Sequence, residues 1–306
     1  MDRHPVDGVD DTLFPFESRF IDIDGHRIHY VDEGTGHTLL FLHGNPTWSF
    51  DYSTVIASLC SEFRCIAVDY PGFGLSVPAA GYRYLPAEHA QVISGFVDVL
   101  TLEGITLVAH DWGGPIGLAT VQQRGEVFDR LVLTNTWAWP VGAPLIQVMS
   151  HVMGSRIGRL LIRQLNLFVN VMIPVGHRLT KPTSKQMAHY QQALDSPARR
   201  EASAVFPREI TASRAFLGDI EAGLPDIAAL PTLIIWGDAD FLRKCRIAPV
   251  GTDFPRPPDR RHRRCRPLRP IGRARAIRGR DTRLAHTVGV ITKAPLVHTR
   301  PVSCAP

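Results

Sequence analysis

The sequence predicts an α/β protein: a mostly parallel sheet flanked by helices, with a helical block inserted between two of its strands. Three observations carry that expectation. Short apolar runs alternate with segments of helical periodicity, the rhythm of strand–helix–strand units with right-handed crossovers. Three of these runs end in polar, Gly- or Pro-bearing motifs, His43-Gly44-Asn45-Pro46-Thr47-Trp48, Asp69-Tyr70-Pro71-Gly72-Phe73-Gly74-Leu75-Ser76 and His110-Asp111-Trp112-Gly113-Gly114. Sheets of this kind build their sites at the carboxyl ends of strands. Finally, the strand rhythm stops at about residue 137 and returns only at 231–236.

Taken in order, residues 16–23 alternate in part, Asp24-Gly25 signals a turn, and 26–31 continues as a second strand. The run Thr38-Leu39-Leu40-Phe41-Leu42 suits a central strand buried on both faces. A helix is expected over 52–61, a buried strand at 65–68, a helix over 87–101 and a strand at 105–109. Helix again follows over 116–123 and strand at 131–133. In the inserted block, 145–153, 157–168, 185–194 and 202–217 have helical periodicity. The expected division is a core in two parts, 1–136 and 226–242, a helical cap at 137–225, and a separate segment at 243–306.

The organising stretch is Thr106-Leu107-Val108-Ala109-His110-Asp111-Trp112-Gly113-Gly114. An apolar strand ends at a reactive-type residue flanked at two positions by small residues, Ala109 and Gly113, and a helix begins. That is the layout of a nucleophile elbow, with a carboxylate where many such turns carry serine. An exposed carboxylate there can attack a carbon centre and form an ester. The plain alternative is a strand–helix turn in which Asp111 caps the helix. Strand alternation turns His110 away from Asp111, so His110 and His43 read as packing residues.

With those motifs, together with Asp32-Glu33-Gly34 and Trp236-Gly237-Asp238-Ala239-Asp240, the chain resembles an α/β-hydrolase and, more narrowly, a haloalkane dehalogenase, over residues 12–242. The resemblance implies that Asp111 is the nucleophile displacing halide from an sp³ carbon. It implies halide donors at Trp112 (indole N–H) and Asn45 (side-chain N–H), and an oxyanion hole from the backbone N–H groups of Asn45 and Trp112. It implies a histidine base oriented by a carboxylate. Asn135-Thr136-Trp137 offers no such acid; after the post-cap strand Asp240 fits best by the Gly-x-x-Asp spacing, with Asp238 second. Asn45 as a turn former and Trp112 as simple packing are the plain alternatives. Epoxide hydrolases share the elbow, but they use cap tyrosines and usually carry an aromatic residue where Asn45 stands. Tyr190 is the only phenol in the cap. The resemblance further implies no cofactor and no metal, a small haloalkane and water as partners, and a monomer.

The pattern breaks at the base. The resemblance calls for a Gly-x-x-His segment about thirty residues beyond the acid, and none is present; His262, His286 and His298 lack that context. The alternative to turnover is therefore an inactive homologue that is alkylated once at Asp111 and stalls. From residue 243 onward there are 15 Arg and 2 Lys against 3 Asp, with nine prolines and no Glu, Gln, Asn, Tyr, Trp or Met. The expectation is a GC-rich coding region read in the wrong frame, so that the C-terminal part of the fold is incomplete, the tail disordered and solubility poor. The alternative for the tail is a nucleic-acid-binding segment, but a dispersed Arg/Pro mixture with no aromatic platform beyond Phe254 gives no reason to expect a nucleic-acid partner. No signal peptide opens the chain, and Arg156, Arg159 and Arg163 interrupt its longest apolar region. A cytoplasmic protein without a membrane partner is therefore expected, its five cysteines as free thiols.

Overall fold

Residues 12–177 and 181–235 are described by the computed structural model. Seven strands form one sheet: β1 (Arg19–Ile23), β2 (His26–Glu33), β3 (Thr38–Leu42), β4 (Arg64–Val68), β5 (Ile105–His110), β6 (Phe128–Thr134) and β7 (Thr232–Ile235). Their order is β1-β2-β4-β3-β5-β6-β7. The β1–β2 and β2–β4 pairs are antiparallel, and every pair from β4 through β3, β5 and β6 to β7 is parallel. The expectation of a mostly parallel sheet holds.

The helices among these residues are α1 (Ser53–Leu59), α2 (Pro86–Val99), α3 (Gly113–Gln123), α4 (Pro144–Gly154), α5 (Arg156–Leu165), α6 (Ile173–Gly176), α7 (Ser184–Ala193), α8 (Glu201–Ala212) and α9 (Arg214–Ile227). Side-chain alternation sorts the core into two layers. Leu40, Leu42, Ile66, Leu107, Ala109, Leu131 and Leu133 face one way, against residues of α2, α3 and α9. Leu39, Phe41, Cys65, Ala67, Val108, Val132 and Leu233 face the other, against α1. Every residue of β3 is buried, which is why its sequence reads as an unbroken apolar run rather than an alternating one.

The departures have local causes. Pairing of the first strand begins at Arg19, not 16, because Phe14 and Phe16 turn inward, with Phe14 centred 5.1 Å from Trp48. The helix expected over 157–168 stops at Leu165, where Asn166 adopts a left-handed conformation (φ 49°) and a π-helical turn follows. The single helix expected over 202–217 is two, α8 and α9, divided at Ser213. The second lies on α3, with Gln122 Nε2 donating to Ile220 O at 2.8 Å. The division expected at residue 225 thus falls inside α9. Cys65 is a free thiol, pushed up to about 12 by burial. The tail and the candidates Asp238, Asp240, His262, His286 and His298 lie outside the described residues.

Candidate active site

The parallel register that sets Leu42 beside Ala109 brings the ends of β3 and β5 level. The loop after β3 therefore meets the turn after β5. At that turn Asp111 has φ 51°, a left-handed conformation that strains a non-glycine residue by about 1–3 kcal/mol. Neighbours hold it there. Its carbonyl accepts from Thr136 Oγ1 at 2.6 Å and from Gly114 N–H at 3.0 Å. The small positions are required by contact: a Cβ on Gly113 would collide with the Leu42 carbonyl, and one on Gly114 with the Thr136 side chain. The elbow read from the sequence is present, and Trp112 occupies the position before the first residue of α3.

Across from it, the Asn45 backbone N–H donates to Asp111 Oδ2 at 2.9 Å. Gly44 makes this approach possible, since a Cβ there would overlap the Asp111 side chain. The Asn45–Pro46 peptide bond is cis. Asn45 Oδ1 is buried without a partner among the described residues. The Trp112 indole is buried, edge-on to Trp137 (4.9 Å between ring centres, 70°) and to Phe206 of α8 (5.1 Å, 69°). Asn45 and Asp111, 66 residues apart, are thus gathered with Trp112 at one strand end.

The histidines near this turn are committed elsewhere. His43 is fully buried; its Nδ1–H donates to Gly44 O at 2.9 Å and its Nε2 accepts from Tyr70 N–H at 3.3 Å. Burial holds its pKa below the usual histidine range, against the pull of Asp69, so it is a neutral support beneath the loop. His110 Nδ1 lies 3.9 Å from Asp51 Oδ2. The sequence reading of His43 as a packing residue agrees with these contacts; His110 is half-exposed. Tyr190 donates its phenol to Asp51 Oδ1 at 2.8 Å and is buried. Burial, then Asp51, pushes its pKa well above the usual phenol range. The one phenol of residues 137–225 is therefore tied to Asp51, not presented as an acid.

Sequence reasoning missed Thr136, Trp137, Phe206 and Tyr70. Asn135-Thr136-Trp137 carries no acid and no motif of its own, and nothing in the one-dimensional pattern links 206 to 112. The Trp137 indole nitrogen and the Tyr70 hydroxyl are buried without partners among the described residues. Burial and the Asp111 carboxylate push the Tyr70 phenol well above its usual range. The loop that carries Tyr70 is anchored by Asp69, which accepts from His29 Nδ1 at 2.7 Å, Ser49 N–H at 2.7 Å and Leu75 N–H at 3.0 Å. A half-buried strand-end carboxylate at a strained turn, one oxygen held by a backbone donor and an indole beside it, is equipped for covalent attack on carbon.

Comparison with known proteins agrees. A family model described as alpha/beta hydrolase fold matches residues 37–244. Haloalkane dehalogenase 2 of Mycobacterium tuberculosis is 43% identical over 251 residues, spanning 80% of this chain and 87% of that protein. A cis-3-alkyl-4-alkyloxetan-2-one decarboxylase of Shewanella oneidensis is 35% identical, covering 76% of each chain. The solved structure of the haloalkane dehalogenase DatA of Agrobacterium tumefaciens superposes with a TM-score of 0.68 at 21% identity, over 78% of this chain and 87% of that one. Strand order, elbow and relatives together place the chain in the α/β-hydrolase fold and, within it, in the haloalkane dehalogenase family.

Proposed function

We propose that the chain hydrolyses small haloalkanes to alcohol, halide and a proton through a covalent ester on Asp111. The observation that carries this reading is a carboxylate at the elbow with Oδ2 held by the Asn45 backbone N–H at 2.9 Å. In the first step Asp111 Oδ1 attacks the halogen-bearing carbon in line. The C–O bond forms, the C–X bond breaks, and the halide leaves with the electron pair. Its charge is met by the indole N–H of Trp112 and the side-chain N–H of Asn45, where preorganised donors are worth most. Oδ2, already in place, becomes the ester carbonyl oxygen.

In the second step water attacks that carbonyl, and its oxygen takes up charge against the backbone N–H groups of Asn45 and Trp112. The acyl C–O bond to the alkyl group then breaks, the alcohol leaves with one of the water's protons, and the other is released as Asp111 returns to the carboxylate. A histidine must remove the water's proton, with Asp240 orienting it. No cofactor or metal takes part. The partners are the haloalkane and water, and we read the protein as a cytoplasmic monomer, with residues 137–225 as its cap. Opening of epoxides is the weaker reading, because the phenol it needs, Tyr190, is spent on Asp51.

Halide release from a short bromoalkane, followed by intact mass, tests the proposal. Sustained turnover that disappears in Asp111→Ala supports the full cycle. One halide per chain with a retained alkyl group supports Asp111 as nucleophile and places the defect at the base. A folded protein that releases no halide sinks the reading.

A further inference from the structure

We propose that the outer face of α4 and α5 docks the protein on an anionic lipid surface. Both helices lie on α8 and against each other. Their inner sides are spent there: Ile146 and Ser150 of α4 are buried, with Ser150 Oγ donating to Pro207 O at 2.6 Å. On α5, Ile162 packs with Phe168 and Ala204. The sides turned away from α8 are apolar and exposed. They carry Leu145, Val148 and Val152 on α4, and Ile157, Leu160 and Leu161 on α5, with Val152 at 63% and Ile157 at 72% exposure. These positions recur at three and four residues, so each helix shows one continuous apolar stripe. Scattered exposed leucines mean little, but two adjacent stripes make a patch of the kind that binds something.

Charge selects the occupant. Between Leu131 and Leu194 there is no Asp or Glu, against six Lys and Arg. Residues 137–225 as a whole carry ten Lys and Arg and five acids, whereas residues 1–136 carry seven and eighteen. Residues 137–225 are thus net cationic where residues 1–136 are acidic. Arg159 and Arg163 share Glu201, at 2.6 and 2.8 Å, while Arg156 is exposed at the start of α5 beside Ile157. An amphipathic helix whose apolar face is bordered by arginine is the type that lies in a lipid interface, where anionic headgroups attract its cations. A second copy seated symmetrically on this face would set cationic cap against cationic cap. Residues 243–306, with 17 Lys and Arg against 3 Asp, would be repelled in the same way. A lipid partner departs from the sequence-based expectation of no membrane partner; no described helix is long and apolar enough to cross a membrane, and the contact is peripheral. It does not depend on the reaction, although for the proposed one it would hold the roof of the site against the phase in which alkyl halides concentrate.

Flotation of the full chain tests this, with vesicles of phosphatidylcholine alone and of phosphatidylcholine with a quarter phosphatidylglycerol. Binding is expected to the anionic vesicles only, and to be lost at high salt. Ile157→Asp with Leu161→Asp should lower the bound fraction at least tenfold, and Arg156→Glu should weaken it, with thermal unfolding unchanged because all three side chains are exposed. Absence of flotation by the native chain overturns the proposal. So does flotation that the Ile157→Asp, Leu161→Asp chain retains, which would assign binding to the basic segment after residue 242. A dimer in sedimentation velocity that the same pair abolishes, without vesicle binding, overturns it in favour of a second copy.

Discussion

Gly44→Ala isolates the contact between oxyanion loop and nucleophile. Gly44 does not occupy the left-handed region, so alanine meets no backbone penalty. The added Cβ would overlap Asp111 Cβ and stand 2.6 Å from Oδ2 and 2.9 Å from Cγ, where ordinary contact begins at 3.4 Å. Relief requires the loop or the turn that carries Asp111 to move by about 1 Å. A displacement near 1 Å at a reacting group costs about 10²-fold in rate, or about 2.7 kcal/mol of barrier. Overpacking should also cost about 1–3 kcal/mol of stability. The assay is the initial rate of bromide release under single-turnover conditions, which reads the alkylation step whether or not the ester is later hydrolysed. Gly125→Ala, whose new Cβ has no neighbour within 4 Å, is the matched control. A folded Gly44→Ala chain that releases bromide within threefold of the native rate would refute the assignment of Asp111 Oδ2 to this loop.

Trp112→Phe keeps a ring against Trp137 and Phe206 but removes the N–H; bromide release should fall about 10²–10³-fold, and a chain as fast as the native one would show that the indole only packs. Tyr190→Phe leaves a buried Asp51 acceptor short of one donor and should cost about 1–3 kcal/mol in denaturant unfolding. Its bromide-release rate should stay within threefold; a large loss of rate without loss of stability would return Tyr190 to the chemistry. Burial lowers the pKa of His43 and, further, that of His89. The folded state therefore keeps both neutral, while the unfolded chain takes up protons near their ordinary value of about 6.5. Stability from this source is complete above that pH and declines as pH falls below it. Unfolding midpoints flat from pH 8 to 5 would contradict the buried, neutral assignment.

Alternation and run length settled much of the fold before any coordinates. Seven strands and the helical insertion could be read because a strand buried on both faces, such as Thr38–Leu42, is apolar throughout, and amphipathic helices repeat at three and four residues. The elbow was legible too, since a strained turn between strand and helix admits few residue types around Asp111. Tertiary structure alone decided what those residues touch. Parallel pairing of β3 with β5 sets the Asn45 N–H on Asp111 Oδ2, a contact across 66 residues that no local pattern encodes. It committed Tyr190 to Asp51 rather than to the site, and it brought Trp137 and Phe206 onto Trp112. It also broke 202–217 into two helices, because the second half finds its partner in α3. Periodicity specifies which face of an element is apolar, but only the packed chain specifies which apolar faces find one another, and on α4 and α5 which of them are left over.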